Sequence, residues 1–285
     1  MQPQTHEDIT VTHNRLTISE VNPAYWRVTI GNPPINLYDP EMFAELRILM
    51  DRIEASDELK VVVFDSSNPD YFVAHYDLER GEIIPDVPGA APFGEWPNFV
   101  TRLAQSRVVS IAKLRGRARG HGSELALACD MRFASREKAF LAQVEVSVGV
   151  VPGGGATEWL SALTGRSRAM EIITGSNDFD ADTAEKYGWV NRSMPDAELD
   201  DFVEDLAQRI ASFDKRALEL GKKLVNARAG VPSEADRWSS NQAFIGTTTW
   251  PDTQRLIADL TTHGLQKEGD FELRLGHHVG HINRK

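Results

Sequence analysis

One cysteine, Cys129, stands among the 285 residues, so no internal disulfide can form. Its setting in an apolar helical run makes it a core residue rather than a nucleophile. No apolar run approaches the ~18 residues of a membrane-spanning helix. The opening stretch MQPQTHEDITVTHN is polar and lacks the apolar centre of a secretory signal. A cytoplasmic location is the expectation. Positive charge is scarce: 31 Lys and Arg face 42 Asp and Glu, for a net charge of -11. Nucleic acids and anionic membranes both need clustered cations, so neither is expected as a partner. A small anionic ligand held by local donors stays open. No internal repeat and no low-complexity tract occurs. The glycines at 153–155 are not followed by the G-K-[ST] of a phosphate loop; their expected role is close backbone packing. His277, His278 and His281 have no accompanying Asp, Glu or Cys set, so no metal is expected. The segment from Gly264 onward reads as a short, flexible, solvated tail.

The residues present, 41% apolar and 26% charged, describe an ordinary globular chain. Its length suits one large domain, or one domain plus a helical extension. Residues 1–12 read as a loose arm. Trp26–Ile30 alternates and is rich in β-formers, which predicts a strand. Asp39-Pro40 reads as a cap followed by a first-turn proline, and Met42, Leu46, Leu49, Met50 and Ile53 then recur at helical spacing. Lys60–Asp65 (KVVVFD) is a continuous apolar run, as in a strand buried on both faces. Asn68–Leu78 reads as a loop entering a helix. Glu79–Pro97 reads as a polar loop, mobile or lid-forming. A helix over 98–106, a strand over 108–112 and short strands at 131–134 and 139–142 follow. Helices dominate from about Thr157. Strands alternating with helices, then helices alone, predict an α/β core with a helical C-terminal region.

The stretch from Gly116 to Asp130 (GRARGHGSELALACD) organises the rest. It follows the β-branched run at 108–112 and ends in strong helix formers, so it reads as strand, glycine turn, helix start. Gly116, Gly120 and Gly122 permit a sharp turn and close approach of another molecule. The helix start offers unpaired N–H groups and the positive end of a dipole, suited to an oxygen that becomes anionic. Glu124 lies in that first turn.

GRARGHGSELALACDMRFAS resembles the G-x-x-x-G-G-G-x-E-L-x-x-x-C-D segment of the crotonase superfamily, the enoyl-CoA hydratase/isomerase family. EKAFLAQVEVSVGVVPGGGAT resembles that family's strand, second glutamate and P-G-x-G-G turn, and NPDYFVAHYDL its F-x-A-G-x-D-[LI]. The likeness runs over about residues 15–275. It implies a crotonase-like ββα superhelix over residues 13–210 and a C-terminal helical region with a tail, 211–285, that builds homotrimers or hexamers. It implies an acyl-CoA thioester as substrate, with coenzyme A part of that substrate and no separate cofactor. Carried over position by position, the oxyanion donors are the backbone N–H groups of Tyr76 and His121. The acid/base pair is Glu124, orienting water, and Glu145, facing the alpha carbon. Ala74, His75, Asp77, Gly120, Gly122, Trp96, Pro152 and Gly153 become substrate-binding positions. Trp96 and Phe93 either line an acyl pocket or anchor their loop.

The chemistry fits those groups. Removing a proton alpha to a thioester, or adding water across the neighbouring double bond, puts charge on the thioester oxygen. Two fixed amides stabilise it, at roughly 2.7–4 kcal/mol per donor. Water addition needs one group to take a proton and one to deliver it; if a single carboxylate is competent, double-bond migration is the outcome. The chain departs from the family at two glycines, replaced by His121 and His75. Their rings either add a donor or fill space near the oxygen, or else turn outward and only shape the pocket. Asn32–Asn36 (NPPIN) has no cation to meet CoA phosphates, and Arg80, Arg115, Arg117 and Arg119 are the available substitutes. Two alternatives follow. One is a CoA-independent hydrolase cleaving a carbon–carbon bond of a cyclic β-diketone, in which a histidine can stand at position 121; Glu145 argues against it. The other is a non-catalytic oligomeric binding protein on the same fold.

Overall fold

The computed structural model describes residues 15–80 and 95–282. The arm expected at 1–12, most of the loop expected at 79–97 and Phe93 lie outside the described residues. β1 (Leu16–Asn22) and β2 (Tyr25–Ile30) form a hairpin and α1 (Pro40–Ala55) follows. Then come β3 (Val61–Ser66), β4 (Tyr71–Val73) and α2 (Glu95–Gln105). β5 (Val109–Leu114), β6 (Arg117–Arg119) and α3 (His121–Ala128) repeat that order. β7 (Met131–Ser135) and β8 (Phe140–Ala142) lead into a 3-10 turn at Glu145–Val148 and α4 (Ala156–Thr164). α5 (Arg166–Gly175), β9 (Phe179–Asp180), α6 (Ala181–Tyr187) and β10 (Arg192–Met194) close the strand-bearing part. α7 (Asp196–Ala211), α8 (Lys215–Ala229), α9 (Glu234–Thr248), α10 (Pro251–His263), α11 (Asp270–Leu273) and α12 (Leu275–Ile282) complete the chain.

From β3 onward, each successive strand pair sends its first strand to one sheet and its second to another. The larger sheet runs β1-β2-β3-β5-β7-β10 and the smaller β4-β6-β8-β9. Apart from the β1–β2 and β8–β9 pairs, the ladders are parallel. The apolar run of β3 serves two cores. Val62 and Phe64 pack with α1 and α2 residues such as Leu46 and Leu103, while Val61 and Val63 pack with Leu199 and Val203 of α7. Period-two alternation puts successive side chains on opposite faces, so a strand covered on both sides is apolar throughout.

α1 begins as its sequence dictates. Asp39 accepts a hydrogen bond from the Met42 N–H at 2.8 Å, Pro40 opens the helix, and Met42, Leu46, Leu49, Met50 and Ile53 are buried. Two expectations fail. Asn68–Leu78 does not lead into a helix: it forms β4 and a single bridge at Tyr76, then a turn over 78–80. Asp77 caps that turn by accepting from the N–H groups of Glu79 and Arg80, both at 3.1 Å. The closing segment is not a solvated tail. Leu265, Leu275 and Val279 are buried against Val144, Val148 and Val150, and His278 hydrogen-bonds Asp270 at 2.9 Å. Among the described residues no helix is long and apolar enough to cross a membrane.

Candidate active site

A cavity of about 340 Å³ opens where the N-terminus of α3, the bridge at Tyr76, α2, the 3-10 turn and the C-terminal helices meet. Gly120 precedes α3 with φ 49, a left-handed conformation that suits glycine. A Cβ there would lie 3.2 Å from Oε1 of Glu145, so the missing side chain lets that carboxylate rest against the helix start. Gly122 has the opposite neighbour: a Cβ would run into the carbonyl oxygen of Val73, so this glycine seats α3 on β4.

The backbone around residue 76 is held from both sides. Tyr38 N–H donates to the His75 carbonyl at 2.8 Å, and Asp77 N–H donates to the Tyr38 carbonyl at 3.0 Å. Along an extended chain successive N–H groups alternate, so that of Tyr76 turns away from Tyr38. On α3, Gly120 N–H donates to Ala142 of β8 and the Gly120 carbonyl accepts from Glu124. The N–H of His121, in the first helical turn, has no intrahelical acceptor.

The two glutamates have unlike settings. Glu145 lines the cavity, and neither of its buried carboxylate oxygens has a hydrogen-bond partner. Burial, and then the charge of Glu124, push its pKa far above the usual carboxylate range. Glu124 is fully buried and stands behind the cavity wall. Its Oε2 accepts from the indole N–H of Trp96 and its Oε1 from the Gly154 N–H, each at 2.7 Å. Burial raises its pKa too, opposed by those bonds. Gly154 must be glycine here, since a Cβ would collide with both the Trp96 indole and the Glu124 carboxylate.

His121 forms the screen between Glu124 and the cavity. Its ring centroid lies 4.9 Å from those of Tyr38 and Tyr76 and 4.8 Å from that of Trp96, and Nδ1 is 3.9 Å from Glu124 Oε2. Burial and the neighbouring His75 push its pKa down to about 3, so the ring is neutral. His75 is also buried and lines the cavity, with Nδ1 2.8 Å from the Tyr76 carbonyl oxygen and Nε2 3.0 Å from Glu272 Oε1. Neither ring turns outward.

Of the residues expected at the site, His75, Tyr76, Trp96, Gly120, His121, Glu145 and Gly153 line the cavity. Glu124, Ala74, Asp77, Gly122 and Pro152 do not: they sit behind it or hold its backbone. Ala74, for example, donates its N–H to the Asn36 carbonyl at 3.1 Å. The four arginines considered for CoA phosphates are bound within the chain: Arg80 to Glu41, Arg115 to Asp196 and Asp200, Arg117 to the Leu273 carbonyl, and Arg119 to Asp178. Sequence reasoning missed Tyr38, Phe244, Leu265, Leu275 and Glu272. Tyr38 stands next to the cap of α1, where a pocket role leaves no local mark. The others belong to the C-terminal helices and, for Leu265, to the turn between α10 and α11, which fold back over the cavity.

Fold and site together define a small-molecule protein on the α/β crotonase fold, with an apolar cavity, a helix start and a buried carboxylate converging on one point. The chain belongs to the enoyl-CoA hydratase/isomerase family, whose profile matches residues 20–257. It is 32% identical to a short-chain-enoyl-CoA hydratase of Clostridium acetobutylicum over 201 residues, covering 70% of this chain and 76% of that one. A crystal structure from Streptomyces avermitilis, described as a candidate enoyl-CoA hydratase, superposes with a TM-score of 0.90 at 39% identity, covering 96% of this chain and 99% of that one. Pseudomonas aeruginosa DspI follows with a TM-score of 0.68 at 27% identity, covering 90% and 99%.

Proposed function

We propose that this protein binds an enoyl-CoA thioester in the cavity, stabilises its enolate between the N–H groups of Tyr76 and His121, and moves a proton at the substrate carbon through Glu145. The observation that carries this reading is the Glu145 carboxylate: buried, unpartnered and facing a mainly apolar cavity at a helix start. Such a group keeps its proton to unusually high pH, which suits a general acid working near neutrality. The dipole of α3 favours the developing oxyanion in the same place. The hydratase names carried by relatives support water addition, with Glu124 orienting the water.

A second reading rests on one specific observation. With Trp96 and His121 screening Glu124, Glu145 is the one member of the expected pair that touches the cavity, whose described lining also includes Asp39, the cap of α1, and Glu95. One carboxylate suffices to shuttle a proton between carbons, so the same site supports double-bond isomerisation. Hydration requires Trp96 or His121 to move and admit water to Glu124.

Turnover of short-chain 2-enoyl-CoA and 3-enoyl-CoA substrates tests both. Glu145→Gln is expected to lower either activity on the order of 10²–10⁴-fold. Glu124→Gln is expected to abolish hydration while sparing isomerisation. Undiminished turnover in both variants overturns the acid/base assignment. Calorimetry with acetyl-CoA tests the CoA arm: saturable binding supports the reading, and no binding at millimolar concentration moves it to the β-diketone hydrolase. We also propose a homotrimer or hexamer assembled through the C-terminal helices. The support is an exposed apolar series, Leu220, Leu224 and Val225 on α8 and Ile245 on α9, with Trp250 after it.

A further inference from the structure

His75 is a position where the chain departs from its family, and its ring is held in a way that fixes its charge. Nδ1 lies 2.8 Å from the Tyr76 carbonyl oxygen and Nε2 lies 3.0 Å from Glu272 Oε1. A carbonyl oxygen can only accept, and so can a carboxylate. A neutral imidazole has one N–H, so one of these contacts would set a lone pair against an acceptor. Either the ring carries both protons or Glu272 carries one. Glu272 is kept ionised by its surroundings: Oε1 also accepts from the Gln266 N–H at 2.6 Å, and the Arg119 guanidinium stands 3.8 Å from Oε2. Arg119 is in turn bound through two nitrogens to Asp178, at 2.7 and 2.9 Å. The result is an alternating row of charges, His75, Glu272, Arg119 and Asp178, running from the cavity wall through the interior to the partly exposed Asp178. His75 and Glu272 are 5% and 0% exposed, so water screens their interaction little.

We propose that His75 is a permanent imidazolium, held by Glu272, that acts as a positioning residue for the oxyanion site. It does so in two ways. Its Nδ1–H donates to the Tyr76 carbonyl, which, with the two Tyr38 bonds, locks the peptide segment whose Tyr76 N–H is the assigned donor. Its positive charge, the end of the row nearest the cavity, favours the enolate over the neutral thioester. The other titratable groups facing it are consistent with that role. His121 is kept neutral, Glu145 is held protonated by burial, and Arg119 is neutralised by Asp178 and Glu272. The second function of Glu272 is to bring the C-terminal segment into the site. This inference deepens the enolate reading and rests on it for its catalytic half.

The test separates the two halves. Nitrogen-15 NMR of the full-length protein with labelled histidine reports the protonation of each ring, and loss of one signal in His75→Gln assigns it. The His75 ring is expected to show two protonated nitrogens at neutral pH, where an ordinary histidine has largely lost its charge. In Glu272→Gln, which keeps the shape and the acceptor for the Gln266 N–H, the ring is expected to turn neutral at pH 7. Turnover should then show kcat lower by on the order of 10- to 100-fold with KM little changed, since a charge beside the donors contributes less than a donor itself. Glu272→Asp should restore part of the loss. A single-protonated His75 in the native protein at pH 7 overturns the proposal whatever the reaction is. So does a Glu272→Gln variant with a neutral His75 and native kcat and pH profile. If the native protein turns over no enoyl thioester, the enolate reading fails while the NMR result still stands.

Discussion

Glu124 and Glu145 are the same residue type, yet one is satisfied by an indole and a backbone donor and the other by none. Both pKa values are raised, so the folded state binds protons that the unfolded chain has released above about pH 4.3. The contribution of this pair to stability is therefore fully present at acid pH and is lost as pH rises through the folded-state values. Glu145→Gln removes that penalty. Thermal unfolding should show this variant more stable than the native protein at pH 9, by at least ~1 kcal/mol, with the gap vanishing near pH 4. If the pair acts as proposed, it also sets the activity profile. Two buried carboxylates that repel each other lose their protons in two coupled steps, and under that proposal the singly protonated form is the working one. Initial rates should trace a bell centred in the neutral to alkaline range rather than near pH 4–5. At this scale the sequence was readable in part. Glu124 and His121 stand inside the glycine-rich stretch 116–130, whereas Glu145 was reached only through the family resemblance. Glu272 was not reached, because its partner His75 is 197 residues away and nothing in DFELRLG marks a buried carboxylate.

Elements carry the site through their glycines. Gly154 ties the loop after the 3-10 turn to α2 and α3 at once, donating to Glu124 where any side chain would strike the Trp96 indole. Gly154→Ala should cost hydratase activity far more than it costs folding: circular dichroism and melting should change modestly while kcat falls by an order of magnitude or more. A variant with native kcat would show that the Glu124 clamp is dispensable. Long elements were legible because their signals are redundant. α1 shows a cap, a first-turn proline and five apolar residues in phase, and β3 shows an unbroken apolar run. β4 and β6 were not legible. Three residues each, they are strands only because parallel neighbours in the smaller sheet complete their hydrogen bonds. α12 was misread because its three histidines and glycines suggest solvent, while Leu275 and Val279, four apart, are the residues that dock.

Across the whole molecule, apolar surface is left over on the C-terminal helices. No residue of α8 is buried, although Leu220, Leu224 and Val225 lie on it, Val225 at 62% exposure. If these form the contact between subunits, Leu224→Asp with Val225→Asp should shift the mass in solution to that of a monomer, read by light scattering. An unchanged mass would assign assembly to another surface. The helical C-terminal half was expected from its composition. Its return over the cavity was not, because packing between segments so distant along the chain leaves no periodic trace in either.

His75 lies early in the chain, and the carboxylate that holds it comes 197 residues later. Leu265 and Leu275, which close the cavity, arrive equally late. The last wall of the cavity and the counter-charge of His75 therefore come from the same distant segment, and a cut in the chain ahead of Leu265 removes both at once.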